Sequence, residues 1–331
     1  MLRSQPMPLL VPRSYPGSLS IVIPIFNEES GIGLLRSAME RFIQDLECDS
    51  CELVLVNDGS TDCSIQRLAE WASEDCRVKV IHLSRNFGHQ VAATAGLDFA
   101  TGEAVVLMDA DLQDPPDVVH SMIDRYCEGY DVVYGQRTAR AGETAFKRLS
   151  AWLFYRFSRR FIHPDLPVDT GDFRLMSRQC LEALSELRET HRFLRGMVTW
   201  IGFPQIAVSY QRKPRTVGVT KYPLRKMLAL AWTAATSLSI LPLKFSLLMG
   251  VLFGLLGVEE AVRAILAHLL GWYTVPGWTS TIVVTSILGS VILLSMSIMG
   301  EYVGKIYEQV KDRPLYIVAR TINIPTDRQI M

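Results

Sequence analysis

The sequence predicts an α/β protein whose mostly parallel sheet is covered by helices on both faces and followed by a helical membrane hairpin. Apolar β-rich runs alternate with helical patterns over the first 130 residues, which is the signature of such a sheet. Thr279 to Gly300 carries 22 residues without a charge, enough to cross roughly 30 Å of hydrocarbon.

Each element follows from local pattern. Strands are expected at Leu19 to Ile25, Glu52 to Val56, Val78 to Leu83, Ala104 to Met108 and Asp131 to Tyr134. Their continuous apolar character suits strands buried on both faces. Helices are expected at Gly31 to Leu46, Ser64 to Ala72, His89 to Ala100 and Pro116 to Cys127. Beyond Arg137 a helical pattern reaches about Ile162, with short strands at Phe173 to Met176 and Gln205 to Tyr210. Gln211 to Lys226 is basic and broken by Pro214, Gly218 and Pro223, which suits a loop. The division expected is a tail at 1–18, a catalytic α/β domain at 19–222, an amphipathic juxtamembrane helix at 223–240, two membrane helices at about 243–270 and 278–300 within 241–303, and a tail at 304–331.

The hairpin rests on Phe245 to Val258, 14 uncharged residues before Glu259, Glu260 and Arg263, joined to the second run by a linker with Trp272, Tyr273 and Trp278. That linker has no Lys or Arg, whereas Lys305, Lys311, Arg313 and Arg320 follow, so the positive-inside rule puts both termini and the α/β domain in the cytoplasm. No signal peptide is expected, since Met1 to Gly17 has four prolines and no sustained apolar run. Ser286, Gly289 and Ser290 would permit close helix packing, as in a homo-oligomer.

Net charge is zero, but Asn27 to Gln136 holds 21 acidic against 7 basic residues and Arg137 to Lys226 holds 18 basic against 7 acidic. A metal-binding half followed by a half facing anionic headgroups has this form, each juxtamembrane cation being worth about 1 kcal/mol. Six cysteines without dense spacing exclude a secreted disulfide scaffold. Cys48 and Cys51 form a C-x-x-C without a second pair at zinc-ribbon spacing. No G-x-G-x-x-G follows the first strand, so dinucleotide binding is not indicated.

Ligands of open α/β sheets bind beyond the carboxyl ends of the strands. That rim carries Asn27-Glu28, Asn57-Asp58 and Asp109-Ala110-Asp111. Asp109 and Asp111 can hold a hard divalent cation together with substrate phosphates, since Mg²⁺ prefers one or two carboxylates plus phosphate oxygens. Asp58 can accept from a base or ribose, Asp62 reads as a helix cap, and Arg85 beside a helix N-terminus can face a diphosphate. His89 reads as a surface helix residue.

The runs P-I-F-N-E-E from Pro24, N-D-G-S from Asn57, R-N-F-G from Arg85, D-A-D-L-Q-D from Asp109, V-D-T-G-D-F-R-L from Val168, R-F-L-R-G from Arg192, T-K-Y-P from Thr220 and M-G-E-Y-V-G-K-I-Y from Met299 resemble the family-2, GT-A fold polyisoprenyl-phosphate glycosyltransferases across nearly the whole chain. The bacterial two-span bactoprenol glucosyltransferases look most similar, with dolichol-phosphate mannose synthase a cousin. The resemblance implies a GT-A domain that moves a hexose, best matched by glucose from UDP-glucose, onto undecaprenyl phosphate with inversion. GDP-mannose, UDP-N-acetylglucosamine and UDP-aminoarabinose stay open as donors. It implies that Pro24, Phe26, Glu28, Asp58, Arg85 and Ala110 bind the nucleotide-sugar, and that Asp109, Asp111 and Gln113 hold Mg²⁺ or Mn²⁺ and the diphosphate. Asp111, Asp172 and Arg137 would be catalytic, and Lys147, Arg148, Arg215 and Lys221 would face the lipid phosphate. Implied partners are the donor, the lipid, the bilayer and, downstream, a flippase and a lipid-linked-sugar transferase, with no nucleic acid. Asn57 departs from the Asp usual in relatives. Processive polysaccharide synthases are disfavoured because Q-x-x-R-W is absent; a non-catalytic nucleotide-sugar sensor is the remaining alternative.

Overall fold

The computed structural model describes residues 10–138, 170–211, 241–270 and 278–325. Strand and helix alternate as β1 (Ser18–Ile25), α1 (Glu29–Gln44), β2 (Ser50–Asn57), α2 (Ser64–Glu74), β3 (Val78–Leu83), α3 (His89–Phe99), β4 (Ala104–Leu107), α4 (Val118–Cys127) and β5 (Val132–Arg137). Then come β6 (Thr170–Ser177), α5 (Arg178–Ser185), α6 (Leu194–Ile201), β7 (Gln205–Tyr210), α7 (Leu241–Leu269), α8 (Trp278–Val310) and β8 (Val318–Ile322).

One eight-stranded sheet has the order β7-β5-β6-β4-β1-β2-β3-β8. The pairs β1–β2, β1–β4, β2–β3 and β5–β7 are parallel, whereas β6 runs antiparallel to β4 and β5, and β8 antiparallel to β3. Alternate side chains of a strand point to opposite faces, and this divides the core. Ile21 and Ile23 join Leu35 and Met39 of α1, Trp71 of α2 and Met122 of α4 on one face. Val22, Val54 and Val56 join Ala92 and Ala93 of α3, Leu181 of α5 and Met197 of α6 on the other. The helix α3 lies so close that a Cβ on Gly96 would come 2.3 Å from Cγ1 of Val22.

Local chemistry sets the ends. Ser177 caps α5, its Oγ accepting from the Cys180 N–H at 3.2 Å, a contact worth about 1 kcal/mol. The helix α6 stops at Gly202, whose φ of 81° suits glycine. Asp62 ties two helix starts together, accepting from the N–H of Ser64 at 3.0 Å and of Glu29 at 3.2 Å. The thiol of Cys51 is pushed up to about 12 by burial, so it is protonated at neutral pH.

Two sequence expectations change. The stretch 304–331, read as a tail, contains the end of α8 and the edge strand β8. Its attachment is extensive: the Ser84 N–H donates to the Ile317 carbonyl at 2.9 Å, Tyr316 Oη to Asp98 Oδ2 at 2.8 Å, and Asn323 Nδ2 to the carbonyls of Ala72 and Val78 at 2.7 and 2.9 Å. The second apolar helix also continues ten residues past Gly300 to Val310. Among the described residues one stretch, Ile287–Val310, is long and apolar enough to cross a membrane, and Ser246–Glu259 is a shorter apolar helical stretch. The helices α7 and α8 touch and form a compact unit apart from the sheet. Leu247, Leu255, Leu293 and Leu294 are exposed along them. The expected juxtamembrane helix lies outside the described residues.

Candidate active site

The carboxyl ends of β1, β2 and β4 and the amino end of α3 share one rim. After β1, Asn27 takes a φ of 53°, a conformation that asparagine tolerates. Its Oδ1 accepts from the Thr61 N–H at 2.8 Å and its N–H donates to Ser60 Oγ at 3.0 Å, so the loops after β1 and β2 are bound together. Asn57 is buried, with Nδ2 3.1 Å from His82 Nδ1 and Oδ1 accepting from the Ser60 N–H. An amide fits there because it both donates and accepts.

Asp58 is buried and grips the next loop, Oδ1 accepting from the Phe87 N–H at 2.7 Å and Oδ2 from the Gly88 N–H at 3.0 Å. Burial raises its pKa against those two donors. Gly59 is needed beneath this loop, since a Cβ would fall 2.5 Å from the Arg85 carbonyl carbon. The Arg85 guanidinium lies 4.0 Å from the Phe87 ring centre. Pro24 is buried within β1 opposite Val56, while Phe26 is exposed at the rim.

The centre of the site is a charged cluster. Asp109 and Asp111 follow β4, where the turn passes through Leu112 at φ 53° and Asp111 Oδ1 accepts from the Gln113 N–H at 3.1 Å. From α3, His89 Nε2 stands 3.5 Å from Asp109 Oδ1 and 3.3 Å from Asp172 Oδ2. From β6, buried Asp172 also accepts from Gln90 Nε2 on Oδ2 and from Arg195 Nε on Oδ1, both at 2.8 Å. Gln90 Oε1 in turn accepts from the Leu194 N–H at 3.0 Å, which fixes the start of α6. Arg137 from β5 lies near Asp114 and Tyr210.

Electrostatics separates the two central aspartates. Burial, together with Asp172, Asp114 and Asp111, pushes Asp109 up to about 6 despite His89. Burial also opposes ionisation of Asp172, but Arg195 and His89 outweigh it and hold that carboxyl well below the ordinary range. His89 is lifted to about 9, its desolvation overcome by Asp172 and Asp109. Asp172 is therefore a fixed anion and a poor proton acceptor.

The cluster brings together Asp109, Asp111, Asp172 and Arg137 with His89, Gln90 and Arg195, while Asp114 and Tyr210 lie behind Arg137. His89 lies exposed at the start of α3, as expected of a surface helix residue, and its Nε2 also faces the aspartates. Its place directly after Gly88, at the first turn of α3, was the available signal. Lys147, Arg148, Arg215 and Lys221 lie outside the described residues. Among the described residues no group of three or more His, Cys, Asp or Glu side chains could hold a metal ion without help. Two carboxylates do suit a cation whose other ligands come from a phosphorylated substrate.

Comparison with known proteins identifies the family. The chain is 45% identical to the uncharacterized glycosyltransferase YkcC of Bacillus subtilis (strain 168), over 93% of this chain and 95% of that protein. It is 35% identical to the SfII prophage-derived bactoprenol glucosyl transferase of Shigella flexneri, over 92% and 98% respectively. With a prophage bactoprenol glucosyl transferase homolog of Escherichia coli (strain K12) it shares 33% identity over 91% and 98%. Residues 20–185 match the model of glycosyl transferase family 2, and with its mostly parallel GT-A type sheet and aspartate-lined rim the chain belongs to that family.

Proposed function

We propose that this glycosyltransferase transfers a hexose, glucose from UDP-glucose first among donors, to undecaprenyl phosphate at the cytoplasmic membrane face. The observation that carries the reading is the Asp109–Asp111 pair beside an Asp172 locked as an anion, in a chain with an apolar membrane-length helix. Likeness to bactoprenol glucosyl transferases supports the lipid acceptor. The two-span hairpin, with both termini cytoplasmic, belongs to the same proposal.

Phe26, Glu28 and Arg85 would line the rim where a nucleotide lies, over the loop that buried Asp58 holds in place. Asp109 and Asp111, with Gln113 beside them, would hold Mg²⁺ or Mn²⁺ together with the donor's phosphate oxygens. Bound there, the ion supplies charge neutralisation of the departing diphosphate. The acceptor needs little activation, because a phosphate monoester with a second pKa of about 6 is already ionised at neutral pH. Asp172 accordingly orients the donor sugar, and Arg137 steadies the attacking phosphate. In-line displacement at the anomeric carbon inverts it.

The test is to incubate the full chain in lipid vesicles with undecaprenyl phosphate and UDP-glucose, GDP-mannose, UDP-N-acetylglucosamine or UDP-aminoarabinose, reading the lipid product by mass spectrometry. A prenyl phosphate hexose from UDP-glucose is the expected product. Folded protein that converts none of these donors with Mg²⁺ or Mn²⁺ would overturn the reading.

A further inference from the structure

Asp114 ends the D-A-D-L-Q-D run, yet its side chain is fully buried and so is closed to any ligand. It turns instead toward Arg137 and Tyr210. Tyr210 Oη donates to Asp114 Oδ1 at 2.5 Å, Arg137 Nη2 lies 3.5 Å from Asp114 Oδ2, and Arg137 Nε donates to Tyr210 Oη at 3.3 Å. The backbone holds the same pair, since Arg137 is opposite Tyr210 in the β5–β7 register and the Thr138 N–H donates to the Tyr210 carbonyl at 3.0 Å.

Two glycines make the room. A Cβ on Gly135 would come 2.7 Å from Cε1 of the Tyr210 ring, and one on Gly171 would come 2.6 Å from Arg137 Nη2. The guanidinium therefore lies against bare backbone one residue before Asp172. About a quarter of the Arg137 side chain remains exposed, and it stands within electrostatic reach of both Asp109 and Arg195. A guanidinium recognises phosphate through a planar fork, so its orientation matters as much as its charge.

We propose that Tyr210 and Asp114 are positioning residues for Arg137, clamping its guanidinium into the Gly171 slot so that the open edge of the fork meets the acceptor phosphate. The proposal rests on the transfer reaction proposed above. Tyr210 would act through Arg137 and never touch substrate.

Tyr210→Phe removes one oxygen and keeps the ring. Its KM for undecaprenyl phosphate should rise about tenfold, while the KM for UDP-glucose and the slow hydrolysis of UDP-glucose without lipid stay unchanged. An unchanged acceptor KM, or equal changes in both KM values, would overturn the proposal as a merely structural tyrosine. Should Tyr210→Phe fail to fold, Arg137→Lys carries the test, because it keeps the charge and loses the Nε donor; a rise in the KM for undecaprenyl phosphate is expected, and an unchanged one refutes the proposal. Where both variants fold, the double variant should lose no more than the worse single one, and additive losses would refute the coupling. If the unaltered protein transfers no sugar, the reaction assignment fails instead, and titration of the full chain with farnesyl phosphate reads the clamp alone. Weaker binding by Tyr210→Phe supports it, and equal binding refutes it.

Discussion

Asp172 shows how far a side chain's neighbours decide its chemistry. Three donors from two helices converge on it, Gln90 and His89 from α3 and Arg195 from α6, so its charge is part of the architecture. Asp172→Asn should lower kcat on the order of a hundredfold without removing an ionisation from the pH–rate profile; loss of a basic limb would instead mark Asp172 as a general base. Changing Asp109 and Asp111 together to alanine should reduce product formation at least a hundredfold, and full turnover by that variant would remove the basis for a cation at the β4 tip. The aspartates were legible because they follow an apolar strand in one short run. His89, Gln90 and Arg195 were not, because Gln90 meets Asp172 across 82 positions of chain and only the folded topology brings them together.

At the scale of elements, the apolar runs that mark β1 to β4 reappear as strands because both sheet faces are covered. The edge strand β8 escaped notice: V-A-R-T-I is short, sits in a basic stretch, and gains its identity from pairing with distant β3. Two features test the packing. Gly96→Ala should destabilise by about 1 to 3 kcal/mol, through forced displacement of α3 from Val22 and Val56, as measured by urea unfolding. At the opposite end of the sheet Glu52 pairs with Lys79 and accepts from Ser20 Oγ at 2.5 Å and the Thr101 N–H at 2.6 Å. Burial opposes its charge, but these partners win and depress its pKa. A depressed carboxylate stabilises the fold above its unfolded pKa of about 4.3 and loses that contribution as pH falls through the lower folded value. Glu52→Gln should therefore weaken the protein at pH 7 and flatten the fall in stability below about pH 4.3, as followed by denaturant midpoints.

For the molecule as a whole, the alternation of apolar runs and helical patterns announced the sheet and the long uncharged run announced a long apolar helix, while the return of the chain to the sheet was invisible until β8 was placed. That return shields the edge of β3, whose N–H and C=O groups would otherwise invite pairing with another molecule. Ending the chain after Arg313 should lower the melting temperature and produce self-association on size-exclusion chromatography in detergent; a monodisperse, equally stable product would show that the strand is dispensable.

Because β8 is encoded after both apolar helices, the ribosome has already produced them when it reaches the strand that finishes the sheet. A nascent copy carries an open β3 flank throughout the synthesis of α7 and α8. Completion of the sheet is thus timed to follow emergence of the hydrophobic segments, so the α/β fold cannot close before α7 and α8 have been made.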